Sequence, residues 1–213
     1  MADLFREVDE ALREDRAKSL WSNYGTAIVA LAVGIVLATA AFVVWERYQA
    51  SRNVARTDDI AAAMAVAEQG AAEAADAMAA VVDGSGGMHR TLARFYEAGF
   101  RTEAGDQEAA SIIYRSIAAD DGVARPWRDL ALLLAVQSEI DTGDPAALSA
   151  ELEALAADDS PWRFTARELQ GLLALRQDDR DAALEIFRQL SEAPAAPGGV
   201  RARASELTQL LSR

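Results

Sequence analysis

ARELQGLLALRQDDRDAALEIFRQLS, residues 166–191, rewrites in altered form what already stands at 93–118, ARFYEAGFRTEAGDQEAASIIYRSIA. Laid together without a gap, the two stretches match Ala93 with Ala166, Arg94 with Arg167 and Asp106 with Asp179. Ala109-Ala110 falls on Ala182-Ala183, Ile113 on Ile186, Tyr114 on Phe187 and Arg115 on Arg188. The offset is close to two periods of 34–37 residues. Between the copies, Pro126-Trp127-Arg128 returns one period later as Pro161-Trp162-Arg163. Proline there suits the first turn of a helix, where its missing N–H costs nothing.

Each copy is helical by pattern: apolar and alanine positions recur at three and four, and nothing after Arg47 alternates as a strand does. A period in the mid-thirties built from helix–turn–helix units is the tetratricopeptide signature. Gly171 stands at the small position of that motif's first helix, and Ala183 and Phe187 at the small and aromatic positions of its second. Gln170 and Ala174 depart from it, where leucine or tyrosine is usual. The sequence therefore predicts an all-α fold, a TPR-like solenoid of helix pairs over residues 47–213, with a generic alanine-rich bundle as the alternative.

The expected helices are 48–82, 88–104, 107–119, 126–141, 145–157, 161–177, 180–192 and 198–212. The breaks fall at Gly84 to Gly87, Gly105-Asp106, Asp121-Gly122, Gly143 to Pro145, Asp178-Asp179 and Pro194 to Gly199. Asp178, Asp179 and Asp181 read as caps for the following helix, since they lack the glycine and terminal glutamate of a calcium loop. Trp127 and Trp162 read as packing between repeats rather than exposed anchors.

Upstream of the repeats, residues 19–45 carry no charge. A helix needs about 20 apolar residues to cross a hydrocarbon core, and 24–46 supplies them. Trp21 and Tyr24 flank one end and Trp45 and Tyr48 the other, as rings that prefer the headgroup boundary do. Ala38-Thr39-Ala40 resembles a signal-peptide cleavage site. An uncleaved anchor is favoured because the preceding segment is long and net acidic and the apolar run continues through Val44. Thr26, Ala30, Gly34 and Ala38 form a small-residue stripe of the kind that lets two membrane helices approach. Residues 1–23 read as a short cytoplasmic amphipathic segment with Leu4, Phe5, Val8 and Leu12 on one side. Charge gives orientation only a slight bias: four basic residues precede the run, and Arg47, Arg52 and Arg56 follow it.

Composition excludes several functions. A net charge of −13 repels phosphate backbones, so no nucleic acid is expected as partner. Without cysteine, and with His89 the single histidine, neither a thiolate nucleophile nor a Cys/His metal site can be assembled. Gly84-Ser85-Gly86-Gly87 lacks the Lys-Ser/Thr of a phosphate loop and reads as a linker. Asp83, Ser85 and His89 offer triad residue types but crowd onto that linker. The expectation is a non-enzyme with no catalytic, cofactor-binding or metal residues, no cofactor and no small-molecule substrate.

The whole chain resembles the YfgM-like family of alphaproteobacterial type, an ancillary SecYEG translocon subunit with a TPR-like domain. The resemblance rests on Phe5 to Glu10, Leu20-Trp21 and Tyr24-Gly25 at the start. Toward the end it rests on Pro161 to Leu169, Ala182-Ala183, Phe187, Pro197 and Arg201 to Ala204. It implies a single-pass inner-membrane protein with a cytoplasmic N-terminus and a periplasmic repeat domain, linking the translocon to periplasmic chaperones. The rival expectation is a scaffold or assembly factor of another inner-membrane complex, respiratory or cell-division.

Overall fold

The computed structural model describes residues 34–35, 37–49 and 54–212, and divides the chain into two units, Met1–Ala55 and Arg56–Arg213. In the first unit, residues 37–49 are helical, and Leu37, Phe42, Val44, Trp45 and Tyr48 are all exposed. Among the described residues no helix is long and apolar enough to cross a membrane. Of the expected span 24–46, residues 24–33 and 36 lie outside the described residues, as do the 1–23 segment and Thr26 and Ala30 of the stripe.

The second unit is all helical among its described residues. Residues 56–65 are helical and run into a 3-10 turn, Val66–Glu68. There follow α1 (Ala71–Gly84), α2 (Gly87–Glu103), α3 (Gln107–Ala118) and α4 (Arg125–Ser138). The array continues through α5 (Pro145–Ala156), α6 (Arg163–Arg176), α7 (Arg180–Glu192) and α8 (Gly198–Leu211). The single helix expected over 48–82 is thus two, broken at Gln69-Gly70. Gly70 adopts φ 156°, a conformation that side chains disfavour, and the surrounding alanines conceal the break from any periodicity count. Pro161 also differs from expectation: it lies in the turn before α6, whereas Pro126 sits in the first turn of α4 as predicted. The Ser160 hydroxyl accepts from the Trp162 N–H at 3.1 Å, which closes the turn that holds Pro161 outside the helix.

Apolar burial is organised in four clusters, each made by three successive helices. In the second, Ala110, Tyr114 and Ile117 of α3 meet Ala98 of α2 and Ala131 of α4. In the third, Leu148, Leu152 and Leu155 of α5 meet Leu133 and Val136 of α4 and Ala166 of α6. In the fourth, Ala183, Phe187 and Leu190 of α7 meet Ala204 of α8 and Phe164 of α6. The first joins Ile60 and Ala63 to Met78 of α1 and Ala93 of α2.

The clusters therefore share one register. The second helices α3, α5 and α7 each bury three apolar side chains spaced i, i+4, i+7, a single helical face, and α1 buries Ala74 and Met78 at the first two of these positions. Every following first helix presents a fully buried alanine to it: Ala93, Ala131, Ala166 and Ala204. Asp106, Asp144 and Asp179 stand at the N-caps of the three second helices. Asp106 and Asp179 accept from the N–H of Ala109 and Ala182 at 3.1 and 3.0 Å. At the middle copy Pro145 occupies the first turn instead and the Asp144 side chain makes no cap bond. Asp178, beside Asp179, takes φ 59° to finish α6.

Close approach is tightest at Gly171. A Cβ there would lie 2.7 Å from the Phe187 ring, which is fully buried. Gly99, inside α2, has nothing within 4 Å of a Cβ. The two glycines therefore respond oppositely to alanine. Gly99→Ala is expected to stabilise by about 0.5–1 kcal/mol through helix propensity alone. Gly171→Ala gains the same but displaces the Phe187 ring, at an overpacking cost of about 1–3 kcal/mol, so its melting temperature falls. Thermal unfolding followed by circular dichroism checks both; a rise in melting temperature for Gly171→Ala would contradict the packing argument.

Candidate protein-binding grooves

The α2 and α4 helices touch through aromatic rings. Phe95 lies 5.9 Å from Trp127 and 6.0 Å from Tyr114, ring centre to ring centre, in tilted geometry. Toward the C-terminal ends of the two helices a groove of about 490 Å³ opens. Its floor is Tyr114 and Leu134; Thr102 and Glu103 form one wall, and Gln137 and Asp141 the other. Tyr114 is buried but for its edge, and burial pushes its pKa up while a hydrogen bond with Thr102 pulls it down.

A second groove of about 490 Å³ adjoins the first, sharing Gln107, Ser138 and Thr142 with it. Here Ile112 is 63% exposed, an apolar side chain lining the groove together with Glu108 and Arg115. One side is built by a polar knot. Arg115 of α3 donates from Nε and Nη2 to Glu139, both at 2.6 Å, and from Nη1 to Glu151 of α5 at 3.1 Å. The buried Ser111 hydroxyl donates to the same Glu139 carboxylate. Glu139 lies just past the end of α4, in the turn 139–144, so the knot ties α3, that turn and α5 together. The Arg115 hydrogen bonds hold the Glu139 carboxyl below its ordinary pKa, with Ser111 adding to the effect and burial opposing it. Glu139 in turn holds the Arg115 guanidinium above its ordinary value.

The comparable coupling at the end of the array joins α6 to α8. Arg203 donates to both oxygens of the buried Glu168, at 2.6 and 2.8 Å, a bidentate pair. Glu97 of α2 is the described carboxylate pushed upward, chiefly by burial, with Arg101 opposing.

The residues weighed from sequence are placed as follows. Trp127 and Trp162 are half-buried and pack against the second and third clusters, as expected. Ser85 is buried and its carbonyl accepts from Arg90 at 2.9 Å, while His89 belongs to the first turn of α2; the linker is therefore only Ser85-Gly86. No described hydrogen bond joins Asp83, Ser85 and His89, and no group of three metal-ligating side chains occurs among the described residues. The sequence reading did not find the grooves. Their walls come from α2, α3 and α4, and the signal available was the pair of turns at 104–106 and 139–144, which bring those helix ends together.

A depressed carboxyl pKa stabilises the fold above the carboxyl's unfolded value, and that contribution is lost as pH falls through the folded value. Glu139→Gln should therefore cost about 1–2 kcal/mol at neutral pH, at the lower end because Arg115 is 38% exposed and screened. The gap from wild type should close as pH drops below the ordinary carboxylate range. Melting curves across pH measure it; a gap independent of pH would assign the loss to packing.

The family model for the tetratricopeptide repeat-like domain matches residues 18–203. No curated protein and no solved structure matches the chain. Stacked helix pairs of this kind are generally protein-binding scaffolds rather than catalysts. With the family model covering most of its length and the buried register recurring through the array, the chain belongs to the tetratricopeptide repeat-like domain family.

Proposed function

We propose that the chain is a membrane-anchored, protein-binding scaffold, an ancillary subunit of the protein-export translocon that links it to periplasmic chaperones. The observation that carries this reading is the joining of a stacked helical array to an uncharged run in one family match, which starts at residue 18, ahead of that run. The apolar side chains of residues 37–45, exposed on every face, agree with a lipid-facing surface, because a helical stretch apolar all round has no stable place in water. The resemblance to the YfgM-like family supports the translocon as the membrane partner. It also supports a cytoplasmic N-terminus with the repeats in the periplasm.

The array itself offers protein partners two continuous grooves rather than an enclosed pocket. Their openness suits an extended or helical polypeptide, which a solenoid holds along its surface.

Two measurements test this. A C-terminal fusion to a periplasm-dependent reporter should be active, and one to a cytoplasm-dependent reporter silent; the reverse pattern would overturn the placement. Affinity purification of the full chain from membranes in mild detergent should recover translocon subunits. Their consistent absence, with another membrane complex recovered in their place, would transfer the scaffold role to that complex.

A further inference from the structure

We propose that the groove between the C-terminal ends of α2 and α4 seats a basic segment of a partner polypeptide, with a lysine or arginine side chain held between Glu103 and Asp141. The proposal rests on the reading of the array as a protein-binding scaffold and names the chemistry of what it binds.

Charge complementarity carries the argument. The ionisable side chains on the groove walls are both carboxylates, Glu103 and Asp141, both exposed. Neither meets a described ion pair. Two guanidinium groups nearby are paired with other acids, and a third is hydrogen-bonded to the turn that carries Asp141. Arg101 pairs with Asp76 at 2.7 Å, Arg115 with Glu139 and Glu151, and Arg176 donates to the carbonyls of Ile140 and Gly143 at 2.5 and 2.9 Å. The Arg176 guanidinium, held on neutral carbonyls beside Asp141, offsets part of this charge; with Glu103, Asp141 and, in the adjoining groove, Glu108 against it, the concave space keeps a net negative field, where field lines concentrate. A phosphate, a nucleic acid or an acidic peptide is repelled from such a site, and a cationic side chain is drawn to it.

The rest of the groove specifies a polypeptide rather than a free cation. Tyr114 and Leu134 supply an apolar floor for the aliphatic stem of lysine or arginine. Gln137 and Ser138 stand beside it as partners for backbone groups. Continuity with the second groove adds Ile112 as an apolar contact and Glu108 as a further acid. Together the two grooves offer room for several successive side chains, more than a single small cation occupies.

The experiment is a fluorescence anisotropy titration of the full chain in mild detergent. The probes are a labelled lysine/leucine helical peptide and its counterpart with glutamate at every lysine. The lysine peptide is expected to bind and the glutamate peptide not to. Glu103→Gln with Asp141→Asn should weaken binding about tenfold. Asp181→Asn with Glu206→Gln, which removes the same charge from distant exposed positions, should change it less than about twofold. Equal losses in the two double variants would show a bulk effect of the −13 charge and overturn the proposal, as would unchanged binding in the first. The scaffold reading fails by a different result, the absence of any protein partner co-purifying with the wild-type chain. Partners recovered equally with wild type and with the Glu103→Gln, Asp141→Asn variant would sink the groove and spare the scaffold.

Discussion

The array depends on one contact repeated along its length: three side chains on one face of each second helix press against an alanine of the next first helix. Tyr114, Leu152 and Phe187 are the central members of the three complete triads, and Ala131, Ala166 and Ala204 are what they meet. The economy of the pairing is geometric. A methyl group lets two helix axes come close, and the large residue opposite fills the space that closeness leaves. Leucine at an alanine position would force the helices apart. Alanine at a triad position would open a cavity no neighbour can fill, because each helix packs chiefly on those next to it in the chain and only slightly on the one beyond.

Nearest-neighbour packing also explains where the polar couplings fall. The Arg115–Glu139–Glu151 knot joins α3 to α5, and the Glu168–Arg203 pair joins α6 to α8: in both cases helices two apart in the chain, whose backbones approach little. The turn from α4 to α5 is three residues longer than its counterparts at 104–106 and 177–179. This leaves α5 packed chiefly on α6 rather than on α4. Arg115 bridges the resulting gap by gripping Glu139 in the turn and Glu151 across it. Charge there adds to the apolar burial of Leu133 and Val136 against the leucines of α5.

That longer turn is also why the middle copy was hidden in the sequence. Asp106, Asp144 and Asp179 stand at equivalent N-cap positions, but the spacing is 38 residues and then 35. An ungapped comparison therefore finds the outer copies and passes over the central one, whose triad is leucine throughout. Alanine obscured the other error. Alanine recurs at 61–63, 65 and 67 before Gly70 and at 71, 72, 74 and 75 after it, so the loss of helical conformation left no mark in the apolar period. What was legible were residues whose role is local, such as Asp179 at its cap and Gly171 beneath Phe187. The Pro161 misplacement follows the same rule in reverse. Proline matches a first turn and the turn before it equally well, and the Ser160 hydroxyl, not the proline, decides between them.

The candidate site was illegible for a related reason. Glu103 ends α2 and Asp141 lies in the turn after α4, and they face one groove only because the intervening second helix returns the chain to the same end of the stack. Among the groove residues only Tyr114 belongs to a triad, so substitutions on the walls of the first groove leave the packing register untouched. Recognition and stability thus reside on largely separate residue sets. The periodic signal that reveals a helical array consists of the second set. It therefore identifies the fold class from sequence while leaving the partner to be read from the surface charge of helix ends, which only the packed structure brings together.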